Sequence, residues 1–303
     1  MDNKLFNITK VYKGEIAFNY DIKKLMSWKI GGLVECIAFP KSEQEIIELK
    51  EYVEKHEIPY YIIGKGSNIL FGNQIFQGLI IYLGKNYTSY NIEEVTGGFK
   101  ITCSSGLTLA KLGNIAKEEM LSGCEYLSYI PGSIGGAILT NAEAHKQAIG
   151  NITTKVKVLD NNRIVEYTKE MCDFKYRSSI FENKSNIVIL SIEVYLIKTS
   201  KEEISLKMKE AKDYRLSKQP NKPSAGSVFK NHSLGPAGKL IEDAGLKGLK
   251  VGDAKISELH GNFITNENMA TSEDVIYLIE TIRQKIKDKF DIDIELEIKL
   301  FNL

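Results

Sequence analysis

Tyr60-Tyr61-Ile62-Ile63-Gly64-Lys65-Gly66-Ser67-Asn68-Ile69-Leu70 is a short apolar run that breaks at a glycine-rich turn and becomes apolar again. Tyr61, Ile62 and Ile63 suit a pleated, half-buried surface, so the run reads as a strand. Gly64 and Gly66, one residue apart, let the backbone reach positive φ and approach a ligand closely, and the N–H groups of such a turn can converge on an anion. An ordinary glycine turn between two strands uses the same residues. The turn lacks the Gly-Lys-Ser or Gly-Lys-Thr ending and the spacing of a Walker loop, and it is not Gly-x-Gly-x-x-Gly.

Upstream, Leu33 to Phe39 reads as a strand, and Ser42-Glu43-Gln44-Glu45 is a capping-box pattern opening a helix that runs to about His56. Ile46, Ile47, Leu49, Tyr52 and Val53 give that helix its apolar face, Pro59 stops it, and the glycine-bearing strand follows. The result is a β-α-β unit with the turn where such units bind ligands. Downstream, Gly78–Leu83 and Phe99–Ser104 read as strands and Leu107–Met120 as a helix. A second glycine segment follows, Ile130-Pro131-Gly132-Ser133-Ile134-Gly135-Gly136-Ala137, ending near Thr140-Asn141. It suits close approach to something flat or phosphorylated, and a tight turn before a buried helix fits it equally. Two such segments in one chain favour a nucleotide-type cofactor.

The predicted strands Thr153–Leu159 and Arg163–Tyr167 flank Asp160-Asn161-Asn162, a hairpin turn. In Tyr176-Arg177-Ser178-Ser179-Ile180-Phe181, Arg177 offers a planar fork that can hold a carboxylate by two parallel hydrogen bonds; an ordinary surface arginine has the same sequence. Asn186–Ile197 reads as a strand and Lys201–Leu216 as a charged helix, leading into the basic, proline-containing stretch Tyr214–Pro223, which suits either a phosphate partner or a solvated hinge. Ser227 sits on a glycine-relaxed backbone in Ser224–Asn231, yet no Gly-x-Ser-x-Gly elbow surrounds it, so a hydrolase triad with His232 has little support. Gly238–Ala244 reads as a short helix, Leu259–Ile264 as a strand with His260 as a packed histidine, and Thr271 with Asp274 as the cap of a long helix. The last segment, Asp291–Leu300, alternates polar and apolar residues and predicts a half-buried strand with Asp291, Asp293, Glu295 and Glu297 on one face. Pattern does not choose among these carboxylates.

A chain of 303 residues is expected to form two or three domains. Lys and Arg number 40 against 39 Asp and Glu, a formal charge of +1, which gives no reason to expect nucleic acid or an anionic membrane as partner. An anionic ligand must then be held by local charge. The N-terminus lacks the apolar run of a signal peptide and no stretch approaches a membrane span, so a cytoplasmic location is expected. Cys36, Cys103, Cys124 and Cys172 are scattered without a Cys-x-x-Cys pair; they read as buried thiols, with no metal site and no disulfide framework.

The ordered set Ser27–Gly32 (SWKIGG), Gly64–Asn68 (GKGSN), Ile130–Gly136 (IPGSIGG), Tyr176–Phe181 (YRSSIF), Ser224–Asn231 (SAGSVFKN), Ala244–Ala254 (AGLKGLKVGDA), His260–Asn266 (HGNFITN) and Ile294–Ile298 (IELEI) closely resembles the UDP-N-acetylenolpyruvoylglucosamine reductase family, across nearly the whole chain. The resemblance implies an α+β fold: an FAD-binding fold of the vanillyl-alcohol-oxidase type, with two α+β cofactor subdomains plus a C-terminal α+β substrate-binding domain. The implied boundaries are 1–75, joined by the C-terminal strand 291–303, then 76–216, then 217–290. The short passage from Arg177 to Ser227 resembles the shorter, second type of the family.

The same resemblance implies a monomer that binds FAD non-covalently, uses NADPH as hydride donor, and reduces UDP-N-acetylglucosamine enolpyruvate to UDP-N-acetylmuramate for peptidoglycan precursors. In that reaction hydride from flavin N5 adds to the alkene and charge spreads into the substrate carboxylate as an enolate, so groups aimed at that charge lower the barrier most. By the resemblance, Arg177 and Glu297 lie beside the carboxylate, Glu297 either protonated or sharing a proton with it because two bare carboxylates repel, and Ser227 protonates the enolate. Gly64, Lys65, Gly66, Ser67, Asn68, Ile130, Pro131, Gly132, Ser133, Gly135, Gly136 and Asn141 become the FAD-binding set, and Tyr176, Lys218 and Asn231 substrate contacts. The chain departs from the family at Glu143 and His145, where a glycine and a tyrosine are usual, and at Asp253.

Overall fold

The computed structural model describes residues 4–182, 184 and 186–303. They form two compact units: residues up to Phe18, Cys36–Lys65 and Gln77–Asp213 in the first, and Asn19–Glu35, Gly66–Phe76 and Tyr214–Leu303 in the second.

The first unit holds two hydrophobic cores. One lies where helix Glu43–Lys55 covers a four-stranded sheet of order Glu15–Asp21, Leu33–Phe39, Phe76–Tyr82, Tyr60–Ile63. Ser42 Oγ accepts the Glu45 N–H at 3.2 Å, as the capping pattern predicts, while Glu45 Oε2 reaches back to the Lys41 N–H at 2.9 Å, one residue beyond the usual partner. Ile46, Leu49, Tyr52 and Val53 then bury against Cys36, Ala38, Leu79 and Ile81. The β-α-β reading holds with one addition: Tyr60–Ile63 pairs in parallel with Phe76–Tyr82, which separates it from Leu33–Phe39.

The other core lies on an antiparallel sheet of order Arg163–Thr168, Thr153–Asp160, Ile187–Lys198, Gly98–Ser104, Tyr90–Val95. Asn161 and Asn162 have φ of 45° and 60°, the left-handed pair that a two-residue hairpin needs, so the predicted turn is present. Ile101, Cys103, Val156, Val158, Ile192 and Val194 line the face that packs under helices Leu109–Glu118 and Ile134–Thr140. The sequence reading missed Tyr90–Val95, an edge strand with no buried residue and therefore no apolar alternation.

In the second unit, helices Ala237–Asp243 and Ser272–Phe290 pack with a three-stranded antiparallel sheet, Lys250–Val251, Ala254–Ile256 and Ile264–Asn266. Thr271 Oγ1 accepts the Asp274 N–H at 3.1 Å and Asp274 Oδ2 accepts the Thr271 N–H at 3.0 Å, the expected cap. Val275, Leu278, Ile279, Ile282 and Ile286 form the buried stripe.

Two predicted strands are shorter than expected. Asp291–Leu300 contributes one isolated pairing, Leu296 with Phe229, before a strand at Lys299–Phe301 that pairs in parallel with Ile69–Phe71. Alternation reported burial correctly, with Ile294 and Ile298 inside, but burial carries no information about a hydrogen-bonding neighbour. Of Leu259–Ile264 only Ile264 is in a strand; His260–Phe263 is a turn closed by the Phe263 N–H on the His260 carbonyl at 3.0 Å. All four cysteines are buried, and none is in a disulfide.

Candidate active site

In the first unit the two glycine segments meet. A Cβ built on Gly64 would fall on Ser133 Oγ, so any side chain there requires Ser133 to move. The second segment is fixed from below: the Leu109 N–H donates to the Gly132 carbonyl at 3.2 Å, the Ile134 N–H to Leu107 at 2.8 Å, and the Gly135 N–H to Ser105 at 2.8 Å. Two turns thus converge with no side chain of Gly64 between them, a cradle that suits a flat or phosphorylated group. Lys65, Pro131 and Gly136 are exposed, and Ile130 and Gly135 half-buried.

Asn141 ends helix Ile134–Thr140 in the left-handed conformation, φ 44° and ψ 57°. Its Nδ2 donates to the Lys175 carbonyl at 2.9 Å and its Oδ1 accepts the Gly150 N–H at 3.0 Å. Lys175 and Ser178 pair with each other, which makes exposed Tyr176 and half-buried Arg177 the tip of a tight turn.

In the second unit a different set assembles. The Gly66 carbonyl accepts from Ser27 N at 3.1 Å, and Ser27 Oγ lies 3.2 Å from the same carbonyl and donates to Ser224 at 2.8 Å. Half-buried Ser67 follows, and Asn68 Nδ2 donates to the Glu297 carbonyl at 3.0 Å. Gly226, at φ +77° with open space where a Cβ would stand, turns the chain into half-buried Ser227. The next residues then pair with the C-terminal segment: the Glu297 N–H donates to Val228 at 2.8 Å, and the Lys230 N–H to Glu295 at 2.8 Å. Ser227 and Glu297 therefore stand on adjacent antiparallel segments. Asn231 Oδ1 accepts the Ala237 N–H at 3.0 Å and so starts the next helix, and Lys218 is an exposed residue at the end of Lys201–Lys218.

Two organising residues escaped the sequence reading of individual positions. Ser27 ties the first glycine turn to the stretch before Ser227. Buried Asn262 accepts the Phe229 N–H on Oδ1 at 2.9 Å, donates Nδ2 to the Phe229 carbonyl at 2.8 Å, and accepts the Val228 N–H on its own carbonyl at 2.9 Å. His260 Nδ1 accepts the Asn262 N–H at 3.3 Å; burial foremost, and the nearby Lys247 charge, hold this imidazole below its ordinary pKa against a bond with its own backbone. The signal for Asn262 was an amide residue at the edge of an apolar run, Phe263-Ile264. Among the described residues no group of three or more His, Cys, Asp or Glu could hold a metal ion, and no helix is long and apolar enough to cross a membrane.

Residues 34–165 match the FAD binding domain, and residues 219–301 match the UDP-N-acetylenolpyruvoylglucosamine reductase, C-terminal domain. The chain is 40% identical over 300 residues to the UDP-N-acetylenolpyruvoylglucosamine reductase of Caldanaerobacter subterraneus subsp. tengcongensis, covering 98% of this chain and 97% of that one. It is 37% identical over 289 residues to UDP-N-acetylenolpyruvoylglucosamine reductase 1 of Bacillus cereus, covering 95% of each. The crystal structure of UDP-N-acetylenolpyruvylglucosamine reductase (MurB) from Thermus caldophilus superposes with a TM-score of 0.78 at 30% identity, covering 95% of this chain and 98% of that one. The fold is accordingly the α+β FAD-binding fold with a C-terminal α+β domain, and the chain belongs to the UDP-N-acetylenolpyruvoylglucosamine reductase family.

Proposed function

We propose that the chain is a cytoplasmic, monomeric flavoenzyme that uses NADPH to reduce UDP-N-acetylglucosamine enolpyruvate to UDP-N-acetylmuramate, a step of peptidoglycan precursor synthesis. The observation that carries this reading, within a chain of this family, is the backbone pairing that stands Ser227 and Glu297 on adjacent segments. Gly64–Asn68 and Ile130–Gly136 are the residues that would hold FAD, Asn141 standing behind them with both ends of its amide bonded to the protein backbone, and the convergence of Gly64 on Ser133 suits a pyrophosphate between two turns. When bound, FAD supplies the two-electron chemistry, taking a hydride from NADPH and giving one to the enolpyruvyl group.

The chain's own work is on the substrate. The Arg177 fork holds the carboxylate and stabilises the charge that develops beside it. Glu297, protonated or sharing a proton, faces the same carboxylate, and Ser227 delivers the proton from Oγ to the carbon next to it. Tyr176, Lys218 and Asn231 contact the sugar and diphosphate. Lys218 supplies the cation that a chain of formal charge +1 must place locally.

Anaerobic mixing tests the proposal. NADPH bleaches the yellow of the purified protein, and UDP-N-acetylglucosamine enolpyruvate, rather than oxygen, restores it rapidly. A protein that is colourless and cannot be reconstituted with FAD sinks the whole reading. Rapid recovery with oxygen and none with the enolpyruvyl sugar indicates an oxidase on the same fold.

A further inference from the structure

The helix that carries Gly135 and Gly136 is joined at its C-terminal end to the turn that carries Arg177, and the joint is made on both stems of that turn. The Lys175 N–H donates to Ser178 at 3.0 Å and the Ser178 N–H to Lys175 at 3.2 Å, leaving Tyr176 and Arg177 as the tip, with Arg177 at φ +51°. On one stem Asn141 Nδ2 donates to the Lys175 carbonyl at 2.9 Å; on the other, Ser179 Oγ donates to the Leu139 carbonyl at 2.9 Å. Asn141 is 8% exposed and Ser179 5%, so the side-chain end of each bond is buried.

The Asn141 amide has a fixed orientation. Its Oδ1 accepts the Gly150 N–H, so only the NH2 end can face Lys175. The fit is tight, because a Cβ on Gly150 would lie 2.8 Å from that Oδ1 and 2.7 Å from the Phe174 ring. A left-handed backbone is unfavourable for a non-glycine residue such as Arg177, and it persists only where the surroundings over-determine it. The two stem anchors supply that constraint.

We infer that Asn141 is a positioning residue for Arg177: its side chain does not recognise the cofactor but holds the hairpin that aims the guanidinium. The inference rests on the reading of Arg177 as the group that holds the substrate carboxylate. It makes the second glycine segment and the arginine one mechanical piece within the first unit. Ser179 is the second pin of the same joint.

Asn141→Asp tests this with little change of volume. It retains an acceptor for the Gly150 N–H and sets an oxygen against the Lys175 carbonyl, where a donor stood. Three readouts are taken on the holo-protein: FAD dissociation by flavin fluorescence, anaerobic bleaching by NADPH, and recovery of colour with the enolpyruvyl sugar. The first two stay within about twofold of the parent, and the third slows by about tenfold or more. In an Arg177→Ala background the same change adds no further slowing, because the residue acts only through Arg177. A weakened flavin affinity with normal recovery makes Asn141 a cofactor contact and overturns the inference, as do additive losses in the double variant.

If Arg177→Ala alone leaves recovery unchanged, it is the arginine's role that fails, and amide exchange then decides the joint. Asn141→Asp speeds exchange at Ser178; unchanged exchange there overturns the joint itself. Should Asn141→Asp fail to fold, Ser179→Ala loosens the other stem and gives the same split between bleaching and recovery.

Discussion

The backbone N–H of Glu297 donates to the carbonyl of Val228 at 2.8 Å, so the residue after Ser227 is fastened to the C-terminal carboxylate residue by main chain alone. Removing the Ser227 hydroxyl leaves this pairing intact. Ser227→Ala is therefore expected to bleach with NADPH at nearly the parent rate while recovery with the enolpyruvyl sugar slows by about 10²-fold or more, the range of a lost proton transfer. Equal loss in both half-reactions, followed by stopped-flow absorbance, removes Ser227 as the donor.

Arg177→Lys keeps the charge and loses the fork. A lysine is a point charge on a flexible stem, and recovery with substrate is expected to fall by about tenfold or more with the NADPH half-reaction preserved. Unchanged turnover takes Arg177 out of the mechanism.

Gly64→Ala forces a methyl group onto Ser133 Oγ. Overpacking of this kind costs about 1–3 kcal/mol, and because it pries apart the two turns proposed to hold FAD, flavin affinity is expected to drop by about fivefold to 100-fold. Ser133→Gly, introduced as the second change, opens the space and restores much of the affinity. Titration of the apoprotein with FAD reads both variants; a Gly64→Ala protein with parental affinity shows that the convergence is irrelevant to the cofactor.

Asn262→Ala strips partners from both the N–H and the carbonyl of buried Phe229. Each unsatisfied buried group costs about 1–3 kcal/mol, so a loss of about 2–5 kcal/mol in unfolding free energy is expected. Urea unfolding with an unchanged midpoint contradicts the clamp.

His260 makes that clamp sensitive to acid. Its folded pKa lies below the ordinary 6.5, with burial as the main cause, so its contribution to stability is complete above about that pH and is lost as the pH falls through the folded value. Protonation also puts a hydrogen on Nδ1, which now accepts from the Asn262 N–H. Between pH 7.5 and pH 5 the parent is expected to lose more melting temperature than His260→Gln, the other acid-sensitive groups being common to both. Identical losses rule out His260 as the sensor.

Local signals carried most of the fold. Ser42 and Thr271 each cap the helix that begins beside them, and Asn161-Asn162 sits in the left-handed turn it is suited to, because these effects are settled within four residues. Long-range pairing was not legible: the acid-bearing segment Asp291–Leu300 alternates like a strand, yet its partners, Val228 and Asn68, are far away in the chain. At the site, residue types pointed to Arg177 and to the glycine turns, while the choice of Glu297 among four acidic residues came from resemblance alone. What sequence reading could not reveal was the purpose of the amides. Asn68, Asn141, Asn231 and Asn262 were open to reading as ligand contacts or as bland polar residues; three of them commit side-chain hydrogen bonds to distant backbone, and Asn231 to the Ala237 N–H six residues on.

The bond from Asn68 to the Glu297 carbonyl joins residues 229 positions apart, and the adjoining strand Ile69–Phe71 pairs with Lys299–Phe301. During synthesis the first glycine turn thus waits, without these partners, until Glu297, 229 positions further along, has been made. Closing so long a loop is slow, and an unpaired strand edge is exposed in the meantime. A chain stopped before Glu297 would lack the partners of both Asn68 and Ile69–Phe71 and leave this part of the second unit unfinished, however complete the rest of the polypeptide.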